Sequence, residues 1–138
     1  MLTGGMTNKI NVVTKDSEIV NQTAAATLTS LHAVPMGGAY LKITVSGGTN
    51  NSGNVIVVGD VAGVETTETI NFTAPRWKIS TNKWDAGTVV ITTTGFIDET
   101  VVPTIVINTS DAAGNLVEWE YSKSFPARVR YVKAQGLA

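Results

Sequence analysis

Cysteine is absent from the 138 residues, which excludes a disulfide framework, a thiol nucleophile and a zinc–thiolate site. Histidine occurs once, at His32, so imidazole chemistry has a single candidate. Charge is sparse: 15% of residues are charged and the net charge is -1. So small a balance sets up no field that draws nucleic acid or an anionic membrane. Long apolar runs are also missing; the longest, such as residues 55–58, are far too short to cross a bilayer. The opening "MLTGGMTNKI" lacks the basic start and the apolar run of about 7–15 residues that a secretory signal needs. The expectation is a soluble protein made in the cytoplasm, with no nucleic-acid or membrane partner.

Threonine and valine dominate what is present, while Leu-, Glu-, Lys- and Ala-rich helical stretches are scarce. β-Branched side chains are stiff at the first torsion and fit a pleated surface. Short runs of them recur between Gly, Asn, Asp, Ser and Pro clusters, the pattern of an all-β sandwich or barrel. The alternation predicts strands at 9–14, 25–33, 39–46, 54–59, 64–72, 76–81, 87–94, 103–108, 115–122 and 127–133. "NQTAAATLTSL" reads as strand or as a turn of helix, and residues 1–8 read as a loose arm before one domain over 9–138. With 43% hydrophobic residues, a chain of this size buries roughly two-thirds of its unfolded surface.

An internal echo organises the middle. "ITVSGG" at 43–48 leads through a polar loop to "NVIVVGDVAGVETTETI", and "ITTTGF" at 91–96 leads to "TIVINTSDAAGNLVEWEY". The alignment sets Asp60-Val61-Ala62-Gly63 against Asp111-Ala112-Ala113-Gly114. Two similar three-stranded meanders packed into one sandwich are expected. In each turn, Asp accepts a hydrogen bond from a backbone N–H two residues on, and Gly supplies a positive φ. Calcium is the rival reading, but such a site needs about six to eight oxygens, and these turns offer two carboxylates or a carboxylate and an amide. No metal site and no cofactor is expected.

Glu68 is the residue to check. The echo aligns it with Trp119, and period-2 alternation puts the two on the same face. A buried carboxylate needs a partner or a proton, so the favoured reading is a bulge that slips the register and turns Glu68 to solvent. A buried Glu68 would tie the core together rather than catalyse. His32 has no cysteine to activate, and no Gly-x-Ser-x-Gly elbow exists, so no catalytic residue is assigned and the chain is not read as an enzyme. "VSGGTNNSGN" is Gly-rich but lacks a Gly-Lys-Ser/Thr ending, and it reads as a flexible hairpin loop.

Trp77 and Trp84 flank "KISTNK", and Trp119 lies in "LVEWEYS". Trp77 alternates with Ile79 and Thr81 as a core face does, and Trp119 is also read as core. Trp84, beside Asp85-Ala86-Gly87, is the tryptophan expected at the surface. Both Trp84 and Trp77 stand as candidate contact residues that could stack on sugar rings. At the C-terminus, "NLVEWEY" and "PARVRYV" form a hairpin around Ser124 in the register that sets Glu118 opposite Arg130 and Glu120 opposite Arg128. Such cross-strand pairs contribute about 0.2–1 kcal/mol each. The alternative is that these strands lie in different sheets, which leaves the charges, Arg128 and Arg130 among them, to solvent or a partner chain.

"INTSDAAGNLVEWEYS" resembles the closing hairpin of bacterial immunoglobulin-like domains. "GNVIVVGDVAGVETTETINF", followed by "WKISTNKW", is similar to small β-sandwich structural proteins of tailed bacteriophages. The resemblance covers roughly residues 40–133 and rests mostly on turn chemistry. It implies a virion component made in the host cytoplasm: a capsid decoration (cement) protein, or a tail or head–tail subunit. Its implied partners are a major capsid or tail protein and further copies of itself, with residues 1–9 ordering on docking. A carbohydrate-binding or adhesin module with a glycan partner is the alternative. The chain departs from an ordinary immunoglobulin domain in having about ten strands and no disulfide pair. The expected fold is thus all-β, a single antiparallel sandwich of about ten short strands, immunoglobulin-like or jelly-roll.

Overall fold

The computed structural model describes residues 9–126, so the expected arm at 1–8 and strand at 127–133 lie outside the described residues. The described residues hold ten strands: β1 (Lys9–Asp16), β2 (Glu18–Thr23), β3 (Thr27–Leu28), β4 (Tyr40–Ser46), β5 (Gly53–Val61), β6 (Val64–Phe72), β7 (Arg76–Ile79), β8 (Val90–Thr94), β9 (Thr104–Ser110) and β10 (Trp119–Pro126). The chain divides into two compact units, one containing β1 and most of β10, the other Ser17–Trp119. No helix among the described residues is long and apolar enough to cross a membrane.

The larger unit is an antiparallel sandwich of two four-stranded sheets, ordered β2-β9-β4-β7 and β3-β8-β5-β6. Consecutive strands β2 and β3, β4 and β5, β6 and β7, and β8 and β9 lie in opposite sheets, with β5–β6 the hairpin between neighbours. This is the jelly-roll order, two interlocked Greek keys, and not the immunoglobulin arrangement. The internal echo survives in altered form. "ITVSGG" and "ITTTGF" are β4 and β8, but each sends its chain across to the other sheet, so the expected meanders do not form. A long loop brings the next strand back wherever apolar surface is left to cover; its length does not say which sheet that is.

Period-2 alternation builds the core. Leu41, Ile43 and Val45 of β4 and Ile105 and Ile107 of β9 face Val55 and Val57 of β5 and Ile91 of β8, all essentially without solvent contact. Burying each such side chain contributes about 1.5–3 kcal/mol. Phe72 ends β6 and Phe96 begins the single 3-10 turn described, and their rings meet at 6.3 Å. The sequence reading missed β2, whose alternation is broken by a register shift between Glu18 and Val20. It also overextended β3: Ala24, Leu28 and Val34 are buried, but around them the backbone bonds to loops, as in Ala24 N to the Pro103 carbonyl.

The smaller unit pairs β1 with β10 as a two-stranded sheet. β10 runs straight through Ser124, so the expected hairpin around that residue is corrected. Glu120 stands 4.0 Å from Lys15 Nζ, both well exposed. Arg128 and Arg130 lie outside the described residues, as do the pairings proposed for them.

Candidate interaction surface

Glu68 shows how β6 is built. β5 and β6 pair without a bulge from Gly53↔Phe72 to Val61↔Val64. Glu68 therefore stays in phase with Ile70 and Phe72 on the inward face, half-buried, and the expected slip to solvent is corrected. Its carboxylate has work there: Oε2 accepts the Thr81 N–H at 2.7 Å, and Oε1 accepts the Asn82 backbone and side-chain N–H groups at 3.1 and 2.8 Å. The charge is compensated by a loop that would otherwise leave donors unpaired. Glu68, half-buried, ties the loop at 81–82 to the sheet rather than tying the core together.

The hairpin turn also differs from its sister. Ala62 and Gly63 sit at φ 50° and 79°, a two-residue turn of type I′. Asp60 does not cap it. The Ala62 and Gly63 N–H groups go to Asp85 Oδ1 at 3.0 Å and Oδ2 at 2.8 Å, from a loop far along the chain. Asp60 instead faces Glu65 across the strands. Asp111 does cap its own turn, accepting the Ala113 and Asn115 N–H groups at 2.9 Å and the Asn115 amide at 3.0 Å. The Asn115 side chain and backbone lead that network, and they hold the Asp111 carboxyl below its ordinary value despite some desolvation.

Glu99 was not singled out by the sequence. Its carboxylate accepts the consecutive N–H groups of Asn50, Asn51 and Ser52 at 2.6, 2.8 and 2.8 Å. Thr49 is held from both sides by Val101. The Gly-rich segment is thus not a flexible hairpin loop; it crosses between sheets and wraps an internal anion. Desolvation works against the charge of Glu99, but the N–H groups of Asn50, Ser52, Asn51 and Thr49 together outweigh it and lower its pKa. Successive amides do form an anion cradle here, and the protein's own carboxylate fills it.

The tryptophans exchange their expected places. Trp84 is fully buried, correcting its assignment as a surface contact. It packs over Gly59, an inward position of β5 with no side chain, where an added Cβ would come 3.2 Å from Trp84 Cε3 and 2.8 Å from Val89 Cγ1. Trp77 is 48% exposed: it shares a face with Ile79, as expected, but that face is the outer one. Lys42 Nζ lies 4.4 Å from the Trp77 ring centroid. Trp119 is partly buried against the core, with the His32 ring edge-on at 5.8 Å.

A broader surface emerges on the outer side of the β3-β8-β5-β6 sheet. One row runs Thr27, Thr92, Ile56, Thr69 across all four strands, and the next runs Val90, Val58, Thr67. Asn54 joins Thr94 and Asn71 by side-chain hydrogen bonds at 3.2 and 3.0 Å. Charge enters only at the hairpin end, with Asp60 and Glu65. Val90 is 54% exposed and Thr67 and Thr69 are exposed. This face is nearly uncharged and rich in β-branched residues. Gly37, Gly38, Lys83, Trp84, Asp85 and Ala86 line an open depression of about 380 Å³, but both Asp85 oxygens there are committed to the hairpin. Among the described residues no group of His, Asp and Glu is arranged to hold a metal ion. Comparison with known protein families, with characterised proteins and with solved structures finds no match to this chain.

Proposed function

We propose that the chain is a non-enzymatic virion structural subunit, a capsid decoration (cement) or tail-associated protein. On this reading it is made in the host cytoplasm, joins the virion, and acts through contacts with a major capsid or tail protein and with its own copies. The observation that carries the reading is the nearly uncharged outer face of Thr27, Thr92, Ile56, Thr69, Val90, Val58 and Thr67. Four carboxylates (Glu68, Asp85, Glu99 and Asp111) each bind N–H groups of loops or turns and so tie these to the sandwich. The jelly roll supports the virion part by fold analogy, since viral capsid domains use it, as do lectins. Mass photometry of the purified chain with and without capsids or tails tests the reading. Added mass on the particles, lost on Val58→Lys, is the expected result; a chain indifferent to every virion part overturns it.

A glycan-binding module is the second reading, and Trp77 favours it by standing 48% exposed beside Lys42 and Thr44 on a sheet face. Retention on a glycan affinity gel that Trp77→Ala abolishes would select it over the first.

A further inference from the structure

The four outermost strands of the sandwich are not treated alike. A free strand edge is a template for pairing with another chain, and proteins blunt it with short length, charged side chains (lysine above all), inward-pointing charges, proline or bulges. β3 is two residues long, β2 carries a register shift, and β7 is four residues with Arg76 and Lys78. β6 is blunted least: it is nine residues, in unbroken register with β5, and free of Lys, Arg and Pro, and of its two carboxylates, Glu65 and Glu68, the inward Glu68 is already held by the Thr81 and Asn82 N–H groups.

The hairpin geometry identifies the groups on that edge. In a two-residue hairpin Val61 and Val64 form a hydrogen-bonded pair, and the ladder alternates from there. The N–H and C=O groups of Glu65, Thr67, Thr69 and Asn71 therefore point away from β5. Lys78 Nζ donates to the Asn71 carbonyl, and the other groups have no partner among the described residues.

We infer that β6 is a self-association edge, pairing antiparallel with β6 of a second copy about a two-fold axis at Thr67. This inference gives a site to the contact between copies named in the proposed function, and it is tested on the chain alone, so it can fail while binding to virion parts stands. In this register Thr67 meets Thr67 of the second copy, and Glu65 meets Thr69. Each such pair exchanges both of its N–H···O=C bonds. The register also answers the charge problem of an acidic strand: Glu68 falls opposite Thr66 of the second copy. An axis at Glu68 would set Glu68 against Glu68, which is unfavourable. A second copy is thus the occupant that the sequence of the edge itself accepts, and the pairing joins the two Thr/Val outer faces into one eight-stranded surface.

Sedimentation velocity over a concentration series tests this. The wild-type chain is expected as a reversible dimer. Thr67→Pro removes an outward N–H without touching the β5–β6 ladder, an allowed place for proline, and should raise the dissociation constant about tenfold or more. Far-UV circular dichroism checks that it folds. Two lysine variants carry the test independently: Thr67→Lys sets like charges together and weakens the dimer, whereas Thr69→Lys faces Glu65 of the second copy and tightens it. A wild-type chain that stays monomeric at its highest soluble concentration overturns the inference. So does a dimer that neither Thr67 variant weakens.

Discussion

Trp84 and Gly59 make a sharp test of the core, because their effects should depend on each other. Trp84 is 0% exposed, so Trp84→Ala leaves a large cavity and should cost about 3–5 kcal/mol. A domain stable by about 5–15 kcal/mol can absorb that and still fold. Gly59→Ala relieves about 0.5–1 kcal/mol of chain entropy. Against this, its Cβ would come 2.8 Å from Val89 Cγ1 and 3.2 Å from Trp84 Cε3, where real Cβ atoms find little room. Overpacking of this kind costs about 1–3 kcal/mol, so the single substitution should destabilise by roughly 0.5–2 kcal/mol. In the Trp84→Ala background the new methyl group and Val89 can move into the cavity. Gly59→Ala should there become neutral or stabilising, a coupling of about 1–3 kcal/mol between the two sites. Equilibrium urea unfolding of all four chains, followed by far-UV circular dichroism with unchanged m-values, measures it. Additivity within about 0.5 kcal/mol would refute the packing of Trp84 over Gly59.

Three further outcomes follow from the carboxylates. Asp85→Ala leaves the Ala62 and Gly63 N–H groups without their acceptor and should lower stability by about 1 kcal/mol, whereas Asp60→Ala relieves its opposition to Glu65 and should stay within about 0.5 kcal/mol, both read from urea midpoints. Glu68→Ala strands the Thr81 and Asn82 N–H groups and should cost about 1–2 kcal/mol, with Glu65→Ala as the near-neutral control. The Glu99 and Asp111 carboxyls are held below their ordinary pKa values, so the folded chain binds fewer protons there than the unfolded chain does. Their contribution is complete above the unfolded pKa and is lost as pH falls through the folded one. Urea midpoints from neutral pH down into the acid range should therefore fall less steeply for Glu99→Gln than for the wild type, and parallel curves would refute the clamp.

Much of the strand pattern was legible in local alternation. The expected strand at 64–72 coincides with β6, and 39–46, 54–59 and 103–108 fall on β4, β5 and β9. Glu68 was legible too: it keeps phase with Ile70 and Phe72, and nothing nearby called for a bulge. A slip to solvent would spare a buried charge, but the acceptors that charge offers are what the loop at 81–82 requires. The positive φ of Gly63 and Gly114 followed from turn chemistry alone.

By itself, then, the sequence determined the all-β character, the alternation of inward and outward residues, and the turns that carry Gly. These are local properties, set by side-chain shape and the two-residue period of a strand. Tertiary structure alone decided the jelly-roll order, since a crossing loop does not encode which sheet it enters. It decided that Trp84 is buried, because the space comes from Gly59, 25 positions earlier in the numbering of the chain. It likewise assigned the carboxylates their loops: Glu99 meets the amides of residues 50–52, and Asp85 rather than Asp60 holds the hairpin. Unpaired N–H groups must find an acceptor when a loop is pinned to a sandwich, and the acceptor is whichever oxygen the fold brings near.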